Sequence, residues 1–151
     1  MRLESLLEEQ RIDFEKHTHT PTYTAQRLAD AEHISGYLVA KPVVVKGAAG
    51  YTMCVLAAPK RVDLKRVADV LGEPSVRLAS ESEMTSLFPD CEIGAEPPVG
   101  ALFGMKTIMD VQLKQDEYLV MQAGTHTDAV KLRRADWERL CAPVVAAIAA
   151  G

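Results

Sequence analysis

The chain has 151 residues, 48% hydrophobic and 25% charged, and its 17 Lys and Arg against 21 Asp and Glu leave a formal net charge of −4. This near-average composition excludes collagen-like repeats, low-complexity sequence and a disordered chain, and it suffices for one ordinary domain with a sizeable core. The mild acidity excludes nucleic-acid binding by bulk charge, so any such contact rests on a local basic patch.

In chain order, Leu3, Leu6 and Leu7 recur at helical spacing with Glu4, Glu8 and Glu9 elsewhere around the turn, which predicts a short amphipathic helix. Acidic Glu4 stands where a secretory signal needs apolar residues, and no apolar run nears the roughly 18 residues of a membrane span. A cytoplasmic protein with no membrane partner is expected. Residues 12–16 alternate like a strand, and a polar loop with Pro21 follows. Thr24 then caps a helix through Leu28 and Ala29 that should end near Gly36. Residues 37–46 and 51–57 are valine-rich runs joined by Gly47-Ala48-Ala49-Gly50, a hairpin signal. Pro42 cannot donate to a ladder, so it belongs at an edge, a strand start or a bulge.

Asp63 caps a helix with Leu64, Val67, Ala68 and Leu71 on one face, stopped by Gly72 and Pro74. Ser80 and Glu83 form a capping box for a helix through Leu87. Residues 90–100 are dense in Gly and Pro yet poor in linker residues, the composition of a shaped loop. Residues 107–111, 118–122 and 129–133 read as strands. Trp137, Leu140, Cys141, Val144, Val145 and Ile148 predict a closing helix, kinked or restarted by Pro143. Strands and helices mix without regular βαβ alternation. The expected class is therefore α+β, a mixed central β-sheet or partly closed barrel surrounded by helices, forming a single domain over residues 1–151.

Cys54, Cys91 and Cys141 lie 37 and 50 residues apart without a CxxC pair, so neither a disulfide framework nor a zinc site is indicated. Cys91 stands between Asp90 and Glu92, whose negative field blunts a thiolate nucleophile, and there is no G-x-S-x-G elbow. His17 and His19 have threonines rather than carboxylates nearby, and His33 and His126 fall on other segments, so no metal is expected. Gly47-Ala48-Ala49-Gly50 matches neither a P-loop nor a dinucleotide fingerprint, and no cofactor is expected. Lys41, Lys46, Lys60, Arg61, Lys65 and Arg66 put six positive charges in 26 residues, either a phosphate-facing surface or a solvated helix face. Lys41, inside Val39-Ala40-Lys41-Pro42-Val43, is either an edge-strand gatekeeper or a charge aimed into a pocket.

Several separate stretches fall in one order: Thr24-Ala25 opening a helix, Val39-Ala40-Lys41, and Leu78-Ala79-Ser80 before a Glu-rich helix. Gly94-Ala95-Glu96-Pro97-Pro98-Val99-Gly100 follows, with Gly94 and Pro98 in a GxxxP pattern, and then Ala123-Gly124-Thr125-His126. Together they resemble the YbaK/ProX family of aminoacyl-tRNA editing domains, free-standing relatives of the editing insertion of bacterial prolyl-tRNA synthetase, from about Thr24 to Trp137. The resemblance implies that family's fold. It implies a deacylase acting in trans on the ester of a tRNA mischarged with alanine, cysteine, serine or threonine, such as that for proline. An aminoacyl-tRNA synthetase is a further implied partner.

Ester cleavage needs an attacking water and donors for the developing oxyanion. The resemblance points to the loop from Gly94 to Pro98 for the donors, with Lys41 adding positive charge or anchoring the terminal adenosine. His126 either accepts a hydrogen bond from substrate or holds a turn. Thr20, Thr22, Tyr23, Ala95, Pro97, Gly124 and Thr125 would wall the pocket, while Lys46, Lys60, Arg61, Lys65 and Arg66 would meet tRNA phosphates. Neither a protein nucleophile nor a metal is implied. Two departures, Pro42 where relatives carry a polar residue and the threonines flanking His126 where Ser and Gly are usual, motivate an alternative: a non-catalytic module binding tRNA or an aminoacyl nucleotide.

Overall fold

A computed structural model describes residues 2–150. The chain runs α1 (Arg2–Glu9), β1 (Phe14–Thr18), α2 (Ala25–Glu32), β2 (Ala40–Gly47), β3 (Gly50–Ala57), α3 (Leu64–Leu71), β4 (Arg77–Leu78) and α4 (Glu81–Leu87). After the glycine- and proline-rich loop come β5 (Lys106–Asp110), β6 (Tyr118–Gln122), β7 (Asp128–Arg133), α5 (Arg134–Cys141) and β8 (Val144–Ala146). Three short 3₁₀ turns occupy Gly36–Leu38, Gly100–Phe103 and Val111–Gln115.

The valine-rich hairpin organises the larger sheet. β2 and β3 pair antiparallel from Ala40↔Ala57 to Gly47↔Gly50, leaving Ala48 and Ala49 as the two-residue turn. β3 is flanked on both sides, and from Met53 to Ala57 it is almost completely buried. β5 joins β3 in parallel and β8 joins β5 in parallel, giving the mixed order β4-β2-β3-β5-β8. A second, antiparallel sheet has the order β1-β7-β6. One parallel bridge, Val39↔Val120, links the two sheets, and they do not close into a barrel.

The sheet faces bury three apolar groups. The largest joins Leu3 and Leu7 of α1 to Ala40, Val44, Met53 and Val55 of the hairpin and to Trp137 of α5. Leu28 and Ala29 of α2 sit on Val39, Val120 and Ala129, over the bridge between the sheets. Val67 of α3 covers Val45, Cys54 and Ile108 on the opposite face of the large sheet. Each such Leu or Val side chain, fully removed from water, contributes about 1.5–3 kcal/mol.

Capping is settled locally and matches expectation. Thr24 Oγ1 accepts from Arg27 N–H at 3.1 Å, the Asp63 carboxylate accepts from the N–H groups of Lys65 and Arg66, and Ser80 and Glu83 form the reciprocal box. Gly72 ends α3 at φ 69°, where a side chain is disfavoured.

Two elements differ from the sequence reading. α2 stops at Glu32, short of Gly36, because His33 adopts the left-handed conformation at φ 57° and turns its N–H back to the carbonyls of Ala29 and Asp30. The expected closing helix ends at Cys141. Ala142 turns left-handed at φ 44°, Pro143 has no N–H to continue the ladder, and Val144 and Val145 enter β8 beside Ile108 and Met109.

Candidate functional site

β2 delivers Lys41. Ala58 N–H donates to Val39 O at 2.9 Å, so the odd residues of β2 hydrogen-bond to β3 and the even ones, Pro42 among them, turn their backbone the other way. On that side β4 pairs only with Val45 and Lys46. The missing N–H of Pro42 therefore faces an unpaired stretch of edge, one of the places expected for it. Beside this edge lies a cavity of about 170 Å³ walled by the apolar Ala25, Ala40 and Pro42 and by Gly94 and the polar Lys41, Glu96 and Gln122. Lys41 Nζ donates to Ala58 O at 2.9 Å. Partial burial, and secondarily the positive charge of Arg61, hold the Lys41 ammonium below the ordinary lysine pKa.

The Gly94 loop is fixed from within. Glu92 N–H donates to Gly124 O at 2.8 Å, Ala95 N–H to Glu92 O at 3.0 Å, and Gly124 N–H to Ala95 O at 2.8 Å. Gly94 N–H is taken by Glu96 Oε2 at 3.1 Å, and Pro97 and Pro98 carry no N–H. The Glu96 amide is thus the one loop N–H between Gly94 and Pro98 with no partner among the described residues. Trp137, fully buried on α5, anchors the far end by donating its indole N–H to Pro98 O at 2.9 Å.

Gly94 sits at φ 87°, and a Cβ there would come within 3.3 Å of Tyr23 O and 3.6 Å of His126 Cε1. Glycine is required both by the dihedral and by this close approach. His126 is a buckle. Its Nδ1–H donates to Thr22 O at 2.9 Å, its carbonyl accepts from Thr22 N–H at 2.8 Å, and its N–H donates to Glu92 Oε1 at 2.7 Å. Its ring lies 4.7 Å from that of Tyr23.

Lys41 and Gly94 thus share one cavity, and His126 stands behind Gly94 rather than in the cavity wall. Pro98 is buried at the Trp137 anchor, and Ala95, Pro97 and Gly124 are buried within the loop and its support. Thr20, Thr22 and Tyr23 line a neighbouring hollow with Arg27 and Asp30, and Thr125 Oγ1 donates to Asp128 at 2.6 Å. The basic residues do not form one free patch. Lys65 pairs with Asp69 at 3.7 Å, Arg66 with Asp63 at 3.6 Å, and Lys46 lies 4.4 Å from the Tyr51 ring centre beside Glu73 and Arg77. Lys60 is half-buried, and Arg61 acts on Lys41 electrostatically.

Two residues of the cavity are not singled out by sequence reasoning: Glu96 and Gln122, each 5% exposed. The available signals are an acid set directly before Pro97-Pro98, and a lone amide ending the apolar run Leu119-Val120-Met121. Burial pushes the thiols of Cys54 and Cys141 up to about 12, which removes both as nucleophiles. Among the described residues no cluster of three His, Cys, Asp or Glu could hold a metal ion, and no helix is long and apolar enough to cross a membrane.

The profile of the aminoacyl-tRNA editing domain matches residues 19–140, a span containing the whole Lys41 cavity and its supporting loops. The chain belongs to the aminoacyl-tRNA editing domain family. No curated protein matches the sequence. Among solved structures, the hypothetical protein APE2540 superposes with a TM-score of 0.91 at 20% identity, covering 99% of this chain and 100% of that one. A candidate trans-editing enzyme for prolyl-tRNA synthetase superposes with a TM-score of 0.85 at 23% identity, covering 99% of this chain and 96% of that one. At these identities the likeness fixes the YbaK-type editing-domain fold, with its mixed sheets and five helices.

Proposed function

We propose that this editing domain, acting over residues 1–151 as one unit, is a trans-acting deacylase that hydrolyses the ester of a mischarged tRNA in the cytoplasm. The observation that carries the reading is the single cavity in which a strand-held lysine faces the Gly94 loop and a buried acid. Attack of water on the ester carbonyl builds negative charge on its oxygen. The Glu96 amide and the Lys41 ammonium are the donors offered to that charge, and loss of one such donor costs about 2.7–4 kcal/mol of transition-state stabilisation. The water is positioned by the loop and by the substrate. Gly94 lets the backbone approach closely, and His126 and Trp137 hold the loop in place.

Candidate substrates are tRNAs bearing alanine, cysteine, serine or threonine, with the tRNA for proline as the leading carrier because a structural neighbour is assigned to prolyl-tRNA synthetase. A one-methylene difference is worth only about 1–3 kcal/mol in a synthetic pocket, which is why a second hydrolytic sieve is needed. Arg61, whose charge reaches Lys41, is the first phosphate contact of this reading, with Lys46, Lys60, Lys65 and Arg66 as the others.

The test is release of free amino acid from tRNAs mischarged with each of the four, with Lys41→Ala alongside. One ester should be cleaved, and Lys41→Ala should abolish that cleavage while the fold persists; unchanged turnover removes Lys41 from the mechanism. A second reading, a non-catalytic binding module, draws support from the Lys41 ammonium already being held by Ala58 O. That module would shift tRNA on a gel without releasing amino acid. In either case tRNA affinity should fall steeply with salt. Copurification would reveal a synthetase partner.

A further inference from the structure

Gln122 ends β6 beside side chains that are apolar and buried. It is 5% exposed and lines the Lys41 cavity, yet neither its Oε1 nor its Nε2 has a hydrogen-bond partner among the described residues. An amide buried with both its acceptor and its donors unmet is costly, and native proteins rarely keep one without use. Glu96 lines the same cavity and is equally buried. Its carboxylate has a single hydrogen-bond partner among the described residues, Gly94 N–H on Oε2, and no cation among them lies within ion-pair distance. A buried carboxylate lacking a cation is likewise unfavourable unless a cationic group enters beside it.

The two residues ask for complementary things. Glu96 offers an acceptor to a positively charged donor, and Gln122 offers one acceptor and one donor to a group that can both give and take a hydrogen bond. A hydroxyl does both, a thiol does so weakly, and a methyl does neither. The remaining walls, Ala25, Ala40 and Pro42, are small and apolar, and about 170 Å³ suits a compact group. We infer that the Glu96 and Gln122 end of the cavity seats the aminoacyl group of the substrate and selects one carrying a free α-ammonium and a side-chain hydroxyl. This rests on the editing reading of the same site. A site built on hydrogen bonds rejects the analogue that lacks them far better than an apolar pocket rejects an extra group. Seryl or threonyl esters are therefore the substrates, and alanyl esters are discriminated against by about 10- to 100-fold.

The experiment has two arms. Hydrolysis of seryl-, threonyl- and alanyl-tRNA is measured for the native protein and for Gln122→Met, which keeps the length and removes both polar atoms. Binding of amide-linked seryl, alanyl and N-acetylseryl derivatives of 3′-amino-3′-deoxyadenosine, which cannot be hydrolysed in the same way, is measured by calorimetry. The seryl over alanyl preference should be about 10-fold or more in both arms and should collapse toward unity in Gln122→Met. N-acetylation should weaken the seryl ligand, and Glu96→Gln should erase that difference. Equal handling of seryl and alanyl groups by the native protein overturns the inference without reliance on any variant folding. Preferential seryl binding without hydrolysis of any ester supports the selectivity and overturns the deacylase reading. Hydrolysis that favours alanine does the reverse, and absence of both binding and hydrolysis removes both.

Discussion

Trp137→Phe separates the support of the Gly94 loop from its chemistry. The indole N–H of Trp137 donates to Pro98 O at 2.9 Å, and the residue is completely buried. Phenylalanine keeps an aromatic ring but leaves that carbonyl without its donor, at about 1–3 kcal/mol for an unpaired buried acceptor. The smaller ring opens a void of roughly 40 Å³, which adds about 1 kcal/mol at about 24 cal/mol per Å³. A total of about 2–4 kcal/mol corresponds to a fall in melting temperature of roughly 4–16 °C for a domain of this size. Thermal melts followed by circular dichroism give the stability, and ester hydrolysis at a temperature where the variant is folded gives the activity. Because Pro98 closes the loop whose Glu96 amide is the proposed oxyanion donor, kcat/KM should also drop. A melting temperature within about 2 °C of the native protein would refute the anchoring role assigned to this bond.

Gly94→Ala places a Cβ 3.3 Å from Tyr23 O at a φ of 87°, so we expect a loss of about 1–2 kcal/mol, roughly 2–8 °C, and weakened hydrolysis. A melt unchanged from the native protein would mean that the loop relaxes freely. Arg61→Ala removes the charge that assists burial in lowering the Lys41 pKa, so any alkaline limb due to Lys41 should move to higher pH, and a stationary limb assigns it to another group. His17 hydrogen-bonds to Glu32 through Nδ1 and to Glu15 through Nε2, and these bonds raise its pKa above the ordinary 6.5. A raised folded value stabilises the protein fully below the unfolded pKa and is lost as pH rises through the folded one. His17→Gln should therefore lower the melting temperature more at about pH 5.5 than at about pH 8.5, and equal losses at both would break the assignment.

What the sequence discloses is what is decided within a few residues. Thr24, Asp63 and the Ser80 and Glu83 pair each find their partners one turn away, so the caps are visible without a fold. The end of α5 is not. Trp137, Leu140, Cys141, Val144 and Ile148 satisfy a helical period whether or not the helix continues, and a left-handed Ala142 lacks the glycine that normally marks such a stop. What diverts Val144 and Val145 is the open parallel edge of β5, a partner more than thirty residues earlier. The pairing within the basic cluster is hidden for a related reason: counting charges along the chain cannot show that Asp63 and Asp69 engage Arg66 and Lys65. Lys41 and Gly94 are legible from motif, whereas Glu96 and Gln122 become meaningful only when the β2 edge and the end of β6 are brought to one cavity.

Pro42, which departs from the family pattern as a sequence, has a constructive place in the fold. The even residues of β2 direct their backbone away from β3, and Val44 O uses that direction to accept from Ala79 N–H at 2.9 Å, beside the short pairing with β4. Two residues earlier the same ladder would need an N–H that proline does not have. β4 accordingly ends at Leu78, against Val45, and the strand edge next to Lys41 is left uncovered. An uncovered edge in a sheet normally invites another strand, which Pro42 also discourages. The space so kept open is the one that Gly94, Glu96 and Gln122 enclose from the other side. The residue that weakens the match to the motif is thus the residue whose missing hydrogen bond keeps the Lys41 cavity clear of a neighbouring strand.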